Sequence, residues 1–124
     1  MNRKKNSLPF DKAGGVIAIQ RKLLESKGYL SLSPQAKVLM ILMQIHWHNY
    51  KAVDYGIREA SKKVPCAYNT ARKAFDELIK KGFIEMVEPS IFSSRTESKT
   101  RTWRLTWLPF NSIKPTNDWE KYDE

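Results

Sequence analysis

Residues 68–81, YNTARKAFDELIKK, concentrate side chains that can make directional contacts with a partner. Asparagine and arginine can each form paired hydrogen bonds with a base edge, and lysine and tyrosine can contact phosphates. The candidate contact residues are Tyr68, Asn69, Thr70, Arg72 and Lys73. We assign Asn69 and Arg72 to bases and Tyr68 and Lys73 to phosphates. Thr70 can face either the partner or the preceding turn.

The same stretch is predicted to be a helix with two different faces. Its apolar residues recur at steps of three and four, which predicts a buried stripe formed by Ala71, Ala74, Phe75, Leu78 and Ile79. Tyr68, Asn69, Arg72 and Lys73 fall on the remaining face. Asp76 follows Arg72 by one turn, so we expect an ion pair that orients the guanidinium.

A shorter helix and a turn are predicted to position this helix. Residues 56–63 should bury Ile57 and Ala60 and turn a basic face outward. Val64 and Cys66 are expected to point inward at the turn, where Pro65 helps to end the first helix. This order is a helix-turn-helix, with residues 68–81 as the recognition helix.

Four elements are predicted before this unit. Residues 16–19 are expected to form an edge strand, and residues 20–27 a brief helix that stops at Gly28. Ser33 and Pro34 mark the start of a helix that runs to about residue 48. That helix is apolar almost all round, so it should support the centre of the core. Residues 52–53 are a candidate short strand.

Two strands are predicted after Gly82, which ends the recognition helix. Residues 83–87 form one, and residues 100–107 the other. Alternation places Trp103, Leu105 and Trp107 on one face and Thr102, Arg104 and Thr106 on the other. The loop between the strands carries the wing candidates Arg95, Lys99 and Arg101.

A helix-turn-helix followed by a hairpin has the order of a winged helix. We therefore predict an α+β winged helix-turn-helix with a three-helix core, a two-stranded β-wing, and a short N-terminal strand and helix. The predicted divisions are a flexible basic arm over 1–14, the domain over 15–110 and an extended acidic tail over 111–124. The arm carries Arg3, Lys4 and Lys5, which either grip DNA or belong to an ordinary frayed terminus. In the tail, Trp119 and Tyr122 could dock on the body of the protein or on a partner.

The run REASKKVPCAYNTARKAFDELIKKGFI, residues 58–84, resembles winged helix-turn-helix proteins. The residues that carry the resemblance are Asn69-Thr70-Ala71, Glu77-Leu78 and Lys81-Gly82-Phe83-Ile84. The later runs TWRLTWLP and PTNDW are similar to the wing return and tail of small helix-turn-helix proteins encoded by bacteria, plasmids and phages. The resemblance implies this fold and DNA binding.

Two positions depart from that pattern. Pro65 stands where glycine is usual, and Ala67 stands where a Ser or Thr N-cap is usual. Without a capping side chain, the first amides of the recognition helix would be free for a phosphate.

Charge, cysteine and histidine content, and the motifs present bear on which other classes of function the chain could have. The formal charge of +9 and the pI near 9.7 favour a polyanionic partner. Cys66 is the only cysteine, so the chain forms no intrachain disulfide, and His46 and His48 have poor spacing for zinc. We find no catalytic motif, cofactor motif, signal peptide or apolar run long enough for a membrane span, and we expect a cytoplasmic, non-enzymatic protein.

These observations predict a sequence-specific double-stranded DNA-binding protein, a transcriptional regulator of a plasmid or phage. Many such proteins are homodimers on palindromic sites. One alternative is a replication-initiator or origin-binding module, which would favour tandem direct repeats. Another is a winged-helix adaptor that binds a protein partner, with the C-terminal tail as a candidate contact.

Overall fold

The computed structural model describes residues 15–88 and 102–123 and has an α+β architecture. The elements in chain order are α1 (Arg21–Leu24), α2 (Lys27–Leu30), α3 (Pro34–Ile45), β1 (Val53–Asp54), α4 (Ile57–Lys63), α5 (Tyr68–Lys80), β2 (Ile84–Glu88), β3 (Thr102–Leu105) and the 3-10 helix η1 (Asp118–Asp123). No helix within these ranges is long and apolar enough to cross a membrane.

Within the described residues, the sheet has three antiparallel strands in the order β1-β3-β2. Trp103 on the central strand pairs with Val53 on one side and Met86 on the other. The register shifts between Met86 and Glu88. The two strands predicted after Gly82 are therefore β2 and β3, and β1 adds a third strand to them. Strand β1 covers residues 53–54, one residue later than the candidate strand at residues 52–53.

The core is built around aromatic rings that α5 and the sheet bring together. Phe75 stacks on Trp103 with 5.2 Å between ring centroids. Trp103 donates its indole N–H to the Tyr55 carbonyl at 3.0 Å, and Trp107 donates its own to Oε1 of Gln44 at 3.0 Å. Both indoles are buried and satisfied, so the face on which alternation places Trp103 and Trp107 packs in the core.

Helix α3 begins where it was predicted to begin but ends before its predicted end. The Ser33 hydroxyl accepts the Ala36 amide at 3.2 Å, and the Ser33 amide donates to Oε1 of Glu77 on α5 at 2.8 Å. The helix ends at Ile45, three residues before the predicted end. Helix α3 supports the core as predicted, through Ala36, Leu39, Met40 and Met43. Its partners cover only this side, so Val38, Ile41 and Ile45 are exposed although the helix is apolar almost all round.

The segment before α3 differs from its prediction. Residues 16–19 form no strand; instead, the Ala18 carbonyl accepts a hydrogen bond from the buried side chain of Gln44. The predicted helix over 20–27 is split at Ser26, whose hydroxyl donates to the Leu23 carbonyl and accepts the Tyr29 amide. Gly28 therefore lies inside α2 rather than ending a helix.

Alternation along β3 stops earlier than predicted. Arg104 lies on the face opposite Trp103 and Leu105, as expected. Its guanidinium pairs with Glu85 and also donates to Thr116 at 3.0 Å, contacts that the sequence did not predict. Thr106 is fully buried, although it was expected to face outward. The strand ends at Leu105, and the Thr106 hydroxyl then turns in to donate to the Gly82 carbonyl at 2.7 Å.

The C-terminal segment packs on the body of the protein and differs from the predicted extended tail. The Trp119 ring is fully buried and lies parallel to Phe83 with centroids 6.2 Å apart. Gly82 has φ +81°, and a Cβ there would come within 2.8 Å of the Asp118 carbonyl carbon. Of the two docking sites considered for Trp119, the structure therefore shows the body of the protein. The side chain of Tyr122 lies outside the described part of the chain.

Candidate nucleic-acid interface

The turn between α4 and α5 is fixed by hydrogen bonds between Ser61 and Cys66. The Ser61 hydroxyl donates to the Cys66 carbonyl at 2.7 Å, and the Cys66 amide donates to the Ser61 carbonyl at 2.9 Å. Val64 and Cys66 are half-buried, so the inward orientation predicted for them is only partial. These bonds tie the turn to the last residues of α4, and α4 and α5 also pack against each other.

Helix α5 has the two faces that its sequence predicts, with one exception. Ala71, Ala74, Phe75 and Leu78 are buried. Ile79 was expected in this stripe but is 40% exposed, because it lies at the stripe's edge, where the packing against α5 ends. The helix spans Tyr68–Lys80, and Lys81 is its C-cap.

The opposite face of α5 is polar and open to solvent. Tyr68, Asn69, Arg72 and Lys73 are exposed, and Thr70 is half-buried. These five candidate contact residues therefore lie in the first turn and a half of one helix. Their side chains require no rearrangement of the core to meet a partner.

Three of the exposed side chains form a chain of contacts along α5. Arg72 donates from Nη2 to Oδ1 of Asn69 at 2.7 Å. Its Nη1 lies 3.8 Å from Oδ2 of Asp76, so the predicted pair between Arg72 and Asp76 is confirmed. The contact with Asn69 was not predicted from the sequence. A side-chain amide oxygen has two lone pairs, so Asn69 can keep this bond and still accept one from a base.

The start of α5 has no side-chain cap. Ala67 has φ −66° and ψ 153°, as an N-cap residue does, but its methyl group cannot accept a hydrogen bond. Helix N-termini carry about half a positive charge and unpaired amides. The first turn of α5 thus adds a positive electrostatic contribution beside Tyr68 and Asn69.

A second basic surface lies on α4, and its residues were not assigned individually from the sequence. Arg58 and Lys62 are exposed and stand four residues apart, which places them on one side of the helix. Lys63 lies 3.4 Å from Glu59 of the same helix. The four-residue spacing of Arg58 and Lys62 was the signal that could have identified them.

Six predicted contact residues lie outside the described ranges. They are Arg3, Lys4 and Lys5 of the arm and Arg95, Lys99 and Arg101 of the wing. The described residues that flank the wing segment, Glu88 and Thr102, pair with each other at the end of the sheet.

The two histidines have local partners. The ring of His46 lies 5.6 Å from that of Tyr55, and Nδ1 of His48 accepts the Tyr50 amide at 3.1 Å. Within the described residues, no group of three His, Cys, Asp or Glu side chains could hold a metal ion.

Comparisons with protein-family models, curated proteins and solved structures find no significant match to this chain. Its functional interpretation therefore depends on the geometry of its own residues.

Proposed function

We propose that this protein binds double-stranded DNA at a specific sequence, with α5 in the major groove as the recognition helix of a winged helix-turn-helix. The observation that carries the proposal is the exposed face of α5, where Asn69 and Arg72 contact each other beside Tyr68 and Lys73. These residue types supply base contacts and phosphate contacts from one surface.

The order of elements supports the fold part of the proposal. Helices α3, α4 and α5 are followed by β2 and β3, and β1 adds a strand at the far edge of β3. Helix α5 packs against both α3 and α4 through its apolar stripe. This arrangement supports a helix-turn-helix whose second helix presents its polar face outward.

Dimensions are compatible with reading a short site. The 13 residues of α5 span about 20 Å at 1.5 Å each, and a major groove is about 12 Å wide. Asn69 and Arg72 are three residues apart, so their Cβ atoms lie roughly 5–6 Å apart. Base pairs stack about 3.4 Å apart. The pair would therefore contact neighbouring base pairs within one half-site.

The proposed division of labour follows from charge. Arg58 and Lys62 of α4, together with Tyr68, Lys73 and the amides at the start of α5, would contact phosphates and set the register. The arm and wing would add backbone contacts on either side. Phosphate contacts give affinity for any sequence, whereas Asn69 and Arg72 would give preference for one.

We further propose that the protein regulates transcription of a plasmid or phage. Selection of a random duplex library by the purified protein, followed by sequencing, tests the DNA-binding proposal. A palindromic motif would support a regulator, and a tandem repeat would favour origin binding. Affinity without an enriched motif, falling steeply as salt is raised, would contradict sequence-specific binding and leave only charge attraction.

A further inference from the structure

A groove lies on the face of the sheet that is turned away from α5. Helix α5 packs on the other face, where its Phe75 stacks on Trp103 of β3. Arg104 is the next residue of β3, so its side chain lies on the groove side. The groove has a volume of about 390 Å³. We call it the outer groove, and its apolar walls are formed by Met86, Val87, Phe110 and Ile113.

A tight turn holds one wall of the outer groove in place. Phe110 and Ile113 exchange two backbone hydrogen bonds, at 3.1 and 2.9 Å, across Asn111 and Ser112. Asn111 and Ser112 have φ of 55° and 64°, which residues other than glycine adopt uncommonly. The backbone and side-chain oxygens of Asn49 accept their two amides, at 2.7 and 3.0 Å. A backbone held in this way is found at ligand-binding sites more often than elsewhere.

The apolar side chains of the outer groove are left partly in solvent. Ile113 is 63% exposed, and Met86 and Val87 are 39% and 42% exposed. The register of β2 against β3 shifts beside them, and such irregularities re-aim side chains next to binding sites. Single exposed apolar residues are common on protein surfaces, but these surround one concavity. Its volume of about 390 Å³ falls in the range of small-molecule sites.

Arg104 gives the outer groove a directional polar group. Its side chain is only 16% exposed. Nε and Nη2 donate to Oε1 of Glu85, and Nη1 donates to Oγ1 of Thr116 at 3.0 Å. A guanidinium has five N–H groups, so among the described residues one on each terminal nitrogen is left for a ligand. Two such groups on one guanidinium match the two oxygens of a carboxylate.

The charges around the outer groove select the head group of the ligand. Arg104 and Lys114 are cationic and Glu85 is anionic, so the lining has one net positive charge. A carboxylate would neutralise that charge. A phosphate monoester carries about −1.5 to −2 and would leave excess negative charge beside Glu85. An ammonium group would be repelled by the two cations.

We propose that the outer groove binds a small molecule that joins a single carboxylate to an apolar body. The carboxylate accepts from Arg104 and lies near Lys114, and the apolar body covers Met86, Val87 and Ile113. A ligand in this position leaves the polar face of α5 open, because α5 lies on the other side of the sheet. The lining residues have no part in the proposed DNA contact, so the two proposals are independent.

Binding of 3-phenylpropanoate to the full chain without DNA tests the proposal, with amide chemical shifts in two-dimensional NMR as the measurement. A Kd on the order of 1 mM is expected for a fragment of this size. Shifts should concentrate at residues 85–87, 104 and 110–116. The matched compounds 3-phenylpropan-1-ol, 3-phenylpropylamine and 3-phenylpropyl phosphate share the apolar body. Each should bind at least about tenfold more weakly, because each lacks a singly charged anionic head group.

Arg104→Lys tests the paired contact without changing the net charge. A lysine cannot present two N–H groups in one plane, so affinity for 3-phenylpropanoate should fall about tenfold while affinity for the alcohol is unchanged. Lys121→Ala removes an exposed cation outside the outer groove and should bind 3-phenylpropanoate like the unmodified chain. Circular dichroism and thermal unfolding establish that each variant is folded.

Ile113→Glu covers the case in which Arg104→Lys does not fold. Ile113 is 63% exposed, so the substitution should preserve the fold and place a carboxylate on the wall of the outer groove. Affinity for 3-phenylpropanoate should fall at least about tenfold, whereas affinity for 3-phenylpropylamine should rise. Ile45→Glu makes the same change at a residue of α3 that is 59% exposed, and it should alter neither affinity.

Four outcomes would overturn the proposal. They are no binding of 3-phenylpropanoate at about 10 mM, ten times the expected Kd, shifts centred outside the outer groove, equal affinity for the acid and the alcohol, and tighter binding of the phosphate. Because the titration contains no DNA, its failure is separate from failure of the proposed DNA binding.

Discussion

The Arg72 guanidinium lies between Asn69 and Asp76 on the exposed face of α5. Exposed pairs at this spacing stabilise a helix by about 0.2–0.5 kcal/mol, which is small beside the total stability of a domain. Their larger effect is on orientation, because a side chain already held in place loses less entropy when it binds. The arrangement therefore contributes more to the proposed DNA contact than to folding.

Asp76 should reduce binding to non-specific DNA. Its carboxylate repels phosphates and restrains Arg72, so Asp76→Ala should raise affinity for unrelated duplexes and lower the ratio of specific to non-specific affinity. Stability should change by less than about 0.5 kcal/mol. Fluorescence anisotropy at several salt concentrations measures both affinities. Glu25→Ala removes an exposed carboxylate outside α5, and an equal effect there would show that only net charge matters.

A second feature at the residue scale is the buried hydroxyl group of Tyr55. It is 1% exposed, and its buried hydroxyl has no hydrogen-bond partner among the described residues. Burial, together with the nearby charge of Glu59, raises the pKa of Tyr55 above its ordinary value of 10.0. The folded state therefore favours the neutral phenol. Its contribution to stability is complete below pH 10 and is lost as the pH rises through the folded pKa.

Tyr55→Phe should remove this pH dependence. Without the unpaired hydroxyl, stability at pH 7 should be unchanged or higher by about 1 kcal/mol. The variant should also lose less stability than the unmodified chain above pH 10. Urea unfolding at neutral and alkaline pH measures both effects, with Tyr50→Phe as the exposed control. A marked loss of stability at pH 7 would show that the hydroxyl has a partner.

At the scale of elements, the start of α5 combines weak capping with the proposed phosphate contact. Ala67 leaves the first amides without a side-chain acceptor. Such a start costs about 0.5–2 kcal/mol relative to a Ser, Thr, Asp or Asn cap. The same amides are placed to bind an anion.

Ala67→Ser should therefore raise stability and lower DNA affinity. The serine hydroxyl would accept an amide that the proposal assigns to phosphate, and the gain in unfolding free energy should be about 0.5–2 kcal/mol. Denaturant unfolding and anisotropy measure the two effects on the same preparation. Greater stability with undiminished DNA affinity would mean that phosphate does not need these amides.

Local patterns predicted some elements well. The two faces of α5 and the start of α3 follow from apolar spacing and a Ser-Pro cap, which act within a few residues. The short elements before α3 were predicted less well, because contacts with residues far along the chain determine them. Gln44 fixes residue 18 through a hydrogen bond, which no pattern within residues 16–19 reveals. The Asn69–Arg72 contact, and the exposure of Val38, Ile41 and Ile45 on α3, also depend on side-chain placement and tertiary packing.

At the scale of the whole molecule, the C-terminal segment completes the core. Trp119 stacks on Phe83, and its backbone neighbour Asp118 lies against Gly82. Gly82 thus has two functions, since it ends α5 at a positive φ and admits the returning chain. Sequence alone left the position of Trp119 open, because its partners lie more than thirty residues earlier.

Trp119→Ala should destabilise the protein by about 3–5 kcal/mol, the usual cost of deleting a large buried aromatic side chain. That is a large part of the total stability of a small domain. Urea unfolding monitored by circular dichroism measures the loss, and Trp119→Phe should lose less. If Trp119→Ala costs less than about 1 kcal/mol, the indole is not part of the core.

The most direct test of the central claim is a comparison of DNA motifs selected by the unmodified protein, Arg72→Ala and Arg21→Ala. Arg21 is exposed on α1 and serves as the charge-matched control. Arg72→Ala should lose preference at one base pair and about 1–3 kcal/mol of specific affinity, because a paired contact to guanine is removed. Arg21→Ala should select the unmodified motif. If Arg72→Ala also selects that motif unchanged, α5 does not read DNA through Arg72.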